Sequence, residues 1–96
     1  MAHAQALVLT PDPSSPAADL SRRLAHEFET EWSAEAGFVK LAEGICTFHS
    51  WPEGLRLDAF ADSPDRLARV ETFIAHQFEH YGSLRVEWRR RPLADR

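Results

Sequence analysis

Residues 37–61 hold the strongest constraint on the fold. Two apolar segments in GFVKLAEGICTFHS are parted around Glu43-Gly44, and a second turn, Pro52-Glu53-Gly54, leads into LRLDAFA. In that last segment Leu55, Leu57 and Ala59 alternate with Arg56, Asp58 and Phe60, the period of a strand with one buried face. Short turns between such segments join antiparallel neighbours. Three adjacent antiparallel strands follow, with a fourth expected around residues 31–35. A sheet with one apolar face must bury it against a second layer, so the rest of the chain has to supply that layer.

Two stretches do. Ser15-Pro16 and Ser63-Pro64 each pair a capping hydroxyl with a proline suited to the first helical position. The first predicts a helix through DLSRRLAHEF, with Leu20, Leu24 and Phe28 four apart on one face. The second predicts a helix carrying Leu67, Val70, Ile74, Phe78 and Tyr81, with Asp65 in its first turn and Gly82 as the residue that ends it. An apolar run at residues 3–10, closed by PDPSSP, reads as a first strand, and SLRVEWRR alternates Leu84, Val86 and Trp88 against Arg85, Glu87 and Arg89 as a last one. The expected architecture is α+β: a two-layer sandwich, an antiparallel sheet of about five strands with two helices on one face, in the order β-α-β(3–4)-α-β.

Ninety-six residues make a single domain over 1–96, with 89–96 expected as a loose basic tail. Fifteen acidic against 11 basic residues, net −4, argue against a nucleic-acid binder. One cysteine excludes an internal disulfide and fits the reducing cytoplasm. No apolar run approaches the length needed to span a bilayer, so no membrane partner is expected.

Cys46 is the first candidate site residue. Strand alternation puts Cys46 and Phe48 on one face and His49 on the other, which makes Cys46 and His49 a poor chelating pair and Cys46 a small core hydrophobe. His76 and His80 stand four apart on the outer side of their helix, a spacing that can hold a metal weakly, but three or four ligands are needed. The residues between them, Gln77, Phe78 and Glu79, do not reproduce the zinc-protease motif. Glu27 and Gln77 fall at the edges of their helices' apolar stripes, where with Cys46 they could line one helix–sheet seam. No phosphate-cradling glycine loop, nucleophile elbow or complete zinc signature is present, and no cofactor is expected.

LSRRLAHEF, then Gly44-x-Cys46, then LRLDAFADSPDRLARVETFIAHQFEHYG and a closing LRVEW resemble a bacterial domain-of-unknown-function family, number 2218, over nearly the whole chain. The resemblance implies no established activity. It implies an association with flavin-binding siderophore-interacting proteins, and through them with iron handling. Members of that family often carry a histidine where this chain has Glu27, and another where it has Gln77. The glycine and cysteine remain as Gly44 and Cys46, while Leu41-Ala42-Glu43 replaces an aromatic-proline run. A Glu, Gln and Cys set is a less selective ligand group than two histidines and a cysteine, so the departures argue against a shared metal site.

The functional expectation is a small non-enzymatic accessory or binding domain with an unidentified ligand. Its partner is another protein or a second copy, meeting it in one version through an edge strand. The alternative is a metal-binding protein or metal-dependent enzyme using Cys46 with Glu27, His26, His76, Gln77 or His80.

Overall fold

The turns at residues 41–43 and 52–53 fold the middle of the chain into a meander. The computed structural model of the chain describes residues 1–33 and 35–91, with the backbone alone at 81. Its elements are β1 (Ala2–Leu9), α1 (Ser14–Leu24), β2 (Glu29–Ser33), β3 (Ala36–Lys40), β4 (Gly44–Trp51), β5 (Gly54–Ala61), α2 (Pro64–Gly82) and β6 (Arg89–Arg91). The six strands lie in the order β2-β3-β4-β5-β1-β6, every neighbour antiparallel. The fold class and element order are those expected, with six strands rather than about five.

Register decides which side chains face the helices. Ala4, Ala6 and Val8 stand across from Ala59, Leu57 and Leu55, and Phe48 and Cys46 from Leu57 and Ala59. All eight are buried. They pack in one core with Ala17, Leu20 and Leu24 of α1 and with Leu67, Val70, Ile74 and Phe78 of α2. Full burial of a Leu, Ile or Phe side chain stabilises by about 1.5–3 kcal/mol against leaving it in water. The seven residues of the two helical stripes therefore account for most of what docks the helices. Phe48 meets Phe78 edge to face, ring centroids 6.3 Å apart, a geometry aromatic quadrupoles favour.

Helix α2 begins as its sequence predicts: Ser63 Oγ accepts from the Arg66 N–H at 3.2 Å, with proline next in line. It ends one residue later than expected. Gly82 is still helical, and Ser83 takes the left-handed conformation at φ 55°, where glycine has no steric cost and serine does. The Leu84 N–H closes this end on the Phe78 carbonyl at 3.1 Å.

Other boundaries differ from expectation as well, beginning with α1, which opens at Ser14 behind Pro13 with no side-chain cap rather than at a Ser15-Pro16 cap. Helix α1 stops at Leu24 rather than Phe28, because residues 25–28 turn back with the Glu27 and Phe28 N–H groups both donating to the Leu24 carbonyl. That turn frees Glu29 to open β2 opposite Lys40 of β3 and sets Phe28 edge-on to Phe73 at 5.5 Å. The last strand is Arg89–Arg91, not residues 84–89. Residues 83–88 run beside α2 instead, with the Val86 N–H on Glu79 Oε2 and Trp88 Nε1–H on the Glu71 carbonyl. Val86 is still buried, and Leu84 and Trp88 pack against the core. The alternation was thus a correct reading of burial, but the hydrogen bonds go to the helix. Arg89–Arg91, expected to open a loose basic tail, instead pair with Gln5, Ala4 and His3 of β1. Residues 92–96 lie outside the described ones.

Candidate functional site

Of the three seam residues, two come together. Glu27 and Gln77 line a cleft of about 630 Å³ between the end of α1 and α2, with His26, Arg22, Arg23 and Phe73 around them. Glu27 is exposed and Gln77 buried. Arg23 Nη2 reaches both the Gln77 carbonyl and its side-chain oxygen at 3.4 Å, and Arg23 also pairs with Asp19 one turn earlier on its own helix. Gln77 thus ties the two helices together through a guanidinium. Cys46 does not line this cleft. It sits in the middle of β4 between Val39 and Ala59, wholly enclosed by the core.

Enclosure governs the chemistry of Cys46. Loss of water, followed by the nearby Asp58 charge, pushes the thiol far above its ordinary value. A thiol held protonated in this way is neither nucleophile nor metal ligand. The His76 and His80 rings stack 5.1 Å apart on the exposed side of α2. Among the described residues no three His, Cys, Asp or Glu side chains are placed to hold a metal ion.

The structure assembles a constellation that the sequence reading did not single out. It lies on the helix-free face of the sheet, centred on Asp58, which is 7% exposed. Asp58 Oδ1 accepts from His3 Nε2 at 2.8 Å and from Gln5 Nε2 at 3.0 Å, and Oδ2 accepts from Arg56 Nε at 3.1 Å. Burial pushes this carboxyl up, but the hydrogen bonds from His3 and Gln5 and the charge and hydrogen bond of Arg56 together outweigh it. The group is held below the ordinary aspartate range. The His3 ring stacks on Phe60 with centroids 4.4 Å apart, and the Arg56 guanidinium lies 5.4 Å from the centre of the Trp51 ring.

Strand order explains the assembly. β1 pairs with β5 so that His3 stands opposite Phe60 and Gln5 opposite Asp58, and both donors reach across to the one carboxylate. Beside the network Leu7, Leu9 and Trp51 are 43%, 70% and 45% exposed. Leu9 and Trp51 flank Gly54 in register. A Cβ at 54 would fall 2.0 Å from the Val8 carbonyl oxygen, so the row carries no side chain there. Leu7, Trp51, Arg56, Gln5 and Arg89 line a shallow hollow of about 270 Å³.

Two sequence signals mark this face. Asp58 is a carboxylate in mid-strand with Arg56 two residues before it, and His3 and Gln5 share the polar side of the first strand. Nothing local says that those two strands are neighbours. Chemically, the Asp58 oxygens are already engaged by three donors, so the carboxylate is poorly placed to take a proton from a substrate. The network instead fixes four side chains into a rigid floor beside an apolar rim.

The described residues include no helix long and apolar enough to cross a membrane. The NMR structure of PA4090 from Pseudomonas aeruginosa superposes on this chain with a TM-score of 0.76, at 22% identity, over 93% of this chain and 96% of that one. That likeness is one of fold. No curated protein matches. A family profile described as "Uncharacterized protein conserved in bacteria (DUF2218)" matches residues 5–89.

Proposed function

The chain belongs to the family of uncharacterised bacterial proteins DUF2218, and from that premise we propose that it is a non-enzymatic binding module whose helix-free sheet face receives a partner protein. One observation carries the reading. A buried, three-donor carboxylate rigidifies the face that no described helix covers, directly beside Leu7, Leu9 and Trp51, which among the described residues are the large apolar side chains most open to water after Met1. Exposed apolar residues grouped around a polar floor are the usual marks of an interaction surface. A floor already ordered before binding lowers the entropy cost of association.

The family's implied link to siderophore-interacting flavoproteins supplies the first partner to try, and a single buried cysteine is compatible with work in a reducing cytoplasm. The test is an NMR titration of the isotope-labelled chain with such a flavoprotein, repeated with Leu7→Asp and Trp51→Ala variants. Shifts confined to β1, β4 and β5, with affinity at least about tenfold weaker in each variant, are expected for anchor residues. Shifts centred on the α1–α2 cleft, or variants that bind as well as the parent, would assign the partner to another surface. No binding at all would remove the siderophore-linked partner.

A further inference from the structure

The two edges of the sheet carry opposite charge on the same face. Two rows of facing residues cross all six strands. One runs Glu31, Phe38, Thr47, Asp58, Gln5, Arg89, and the other Glu29, Lys40, Ile45, Phe60, His3, Arg91. Directly opposed residues share a face, so each row begins with a glutamate on the β2 edge and ends with an arginine on the β6 edge, all on the helix-free side. Glu29, Glu31, Arg89 and Arg91 are exposed, and none of the four forms an ion pair with the other described residues.

Direction is as telling as charge. Six strands in unbroken antiparallel alternation leave β2 and β6 running in opposite senses. A second copy laid alongside, its β2 against the first copy's β6, therefore meets it antiparallel, as neighbours do within the sheet. With Thr30 opposite Arg90, Glu29 faces Arg91 and Glu31 faces Arg89. The two-fold alternatives set Glu against Glu at β2 or Arg against Arg at β6, which is unfavourable.

We propose that this chain self-associates head to tail, β6 of one copy on β2 of the next, and that edge charge excludes the two symmetric pairings. The β6 edge borders the partner face proposed above and shares Arg89 with its hollow, but the self-association does not rest on that reading. A contact of this heterologous kind leaves an edge open at each end and grows into rows or rings rather than closing as a dimer. Arg89–Arg91 offers only three rungs, so the association is weak and screened by salt.

The test is sedimentation equilibrium of the full chain over rising concentration, at low and high salt, with the variants E29R/E31R and R89E/R91E checked for native circular dichroism. The parent is expected to self-associate at low salt, each variant alone to be monomeric, and their equimolar mixture to associate again, since each then supplies the edge the other lacks. Glu31→Gln, which keeps the strand and removes one charge, is expected to weaken association about threefold. A parent that stays monomeric at millimolar concentration in low salt overturns the proposal. So does a closed dimer, or an association that the swapped charges leave unchanged.

Discussion

Replacing Asp58 by asparagine keeps the shape of the side chain and removes its charge. Three donors converge on this carboxylate, from His3, Gln5 and Arg56. A hydrogen bond to a charged group contributes about 1.5–3 kcal/mol when sheltered. Asp58 is sheltered, but the Arg56 side chain is 37% exposed, and screening reduces its share. Burial of the carboxylate opposes the three bonds, so their net contribution is taken as about 2 kcal/mol. Asparagine presents one acceptor and one donor where the site offers only donors, so most of this is lost in D58N. For a chain of this length about 2 kcal/mol corresponds to a fall in Tm of roughly 10 °C.

The effect has a pH signature. The folded carboxyl lies below the ordinary aspartate value, so its stabilisation is complete above the unfolded pKa, near 4. It is lost as pH falls through the lower folded pKa. Urea melts of parent and D58N across pH are expected to show the full gap at pH 7 and a gap that narrows below about pH 4. A cost under about 0.5 kcal/mol at neutral pH, or one as large in acid as at pH 7, would show that the charge does not hold this network together.

Three further outcomes follow from the packing. Cys46 is expected to react with a thiol reagent at least about a thousandfold more slowly in the folded chain than in urea, since labelling waits on unfolding; prompt labelling under native conditions would contradict its enclosure. Ser83→Gly relieves a left-handed serine at the end of α2 and is expected to raise stability by up to about 1 kcal/mol in urea melts, the gain being trimmed by the flexibility glycine adds to the unfolded chain. A lower midpoint would mean the serine is not strained. Gly54→Ala drives a methyl group into the Val8 backbone and is expected to cost about 2 kcal/mol or more, read as a lower midpoint with the β1–β5 amides the first to exchange with deuterium. Unchanged exchange there would place the strain elsewhere.

Much of the architecture is legible along the chain because its cues are local. The alternation of Leu55, Leu57 and Ala59 around two short turns implies β3, β4 and β5 as a meander. The Ser63-Pro64 pair opens α2 at its observed first residue, and the same alternation turns Cys46 and Phe48 inward together. Gln77 is readable as a helix-edge residue; Glu27 is not, because α1 ends at Leu24 and Glu27 sits in the turn beyond it, yet the two share a cleft. Their grouping with Cys46 was not readable, because a stripe edge on a helix and an inward strand position can lie on either side of the core's wall.

What tertiary structure alone decided is adjacency. Periodicity assigns each side chain to a face of its own strand and is silent about the strand next door. Insertion of β1 between β5 and β6 brings His3 to Asp58 across 55 positions and Gln5 across 53, and it sets the glutamate and arginine edges at opposite ends of the same rows. Loop-closure entropy grows only slowly with separation, so it does not choose one distant strand partner over another. The choice falls to how the two helical stripes and the strands' inner faces fill a single core, and that filling is a property of the whole chain at once.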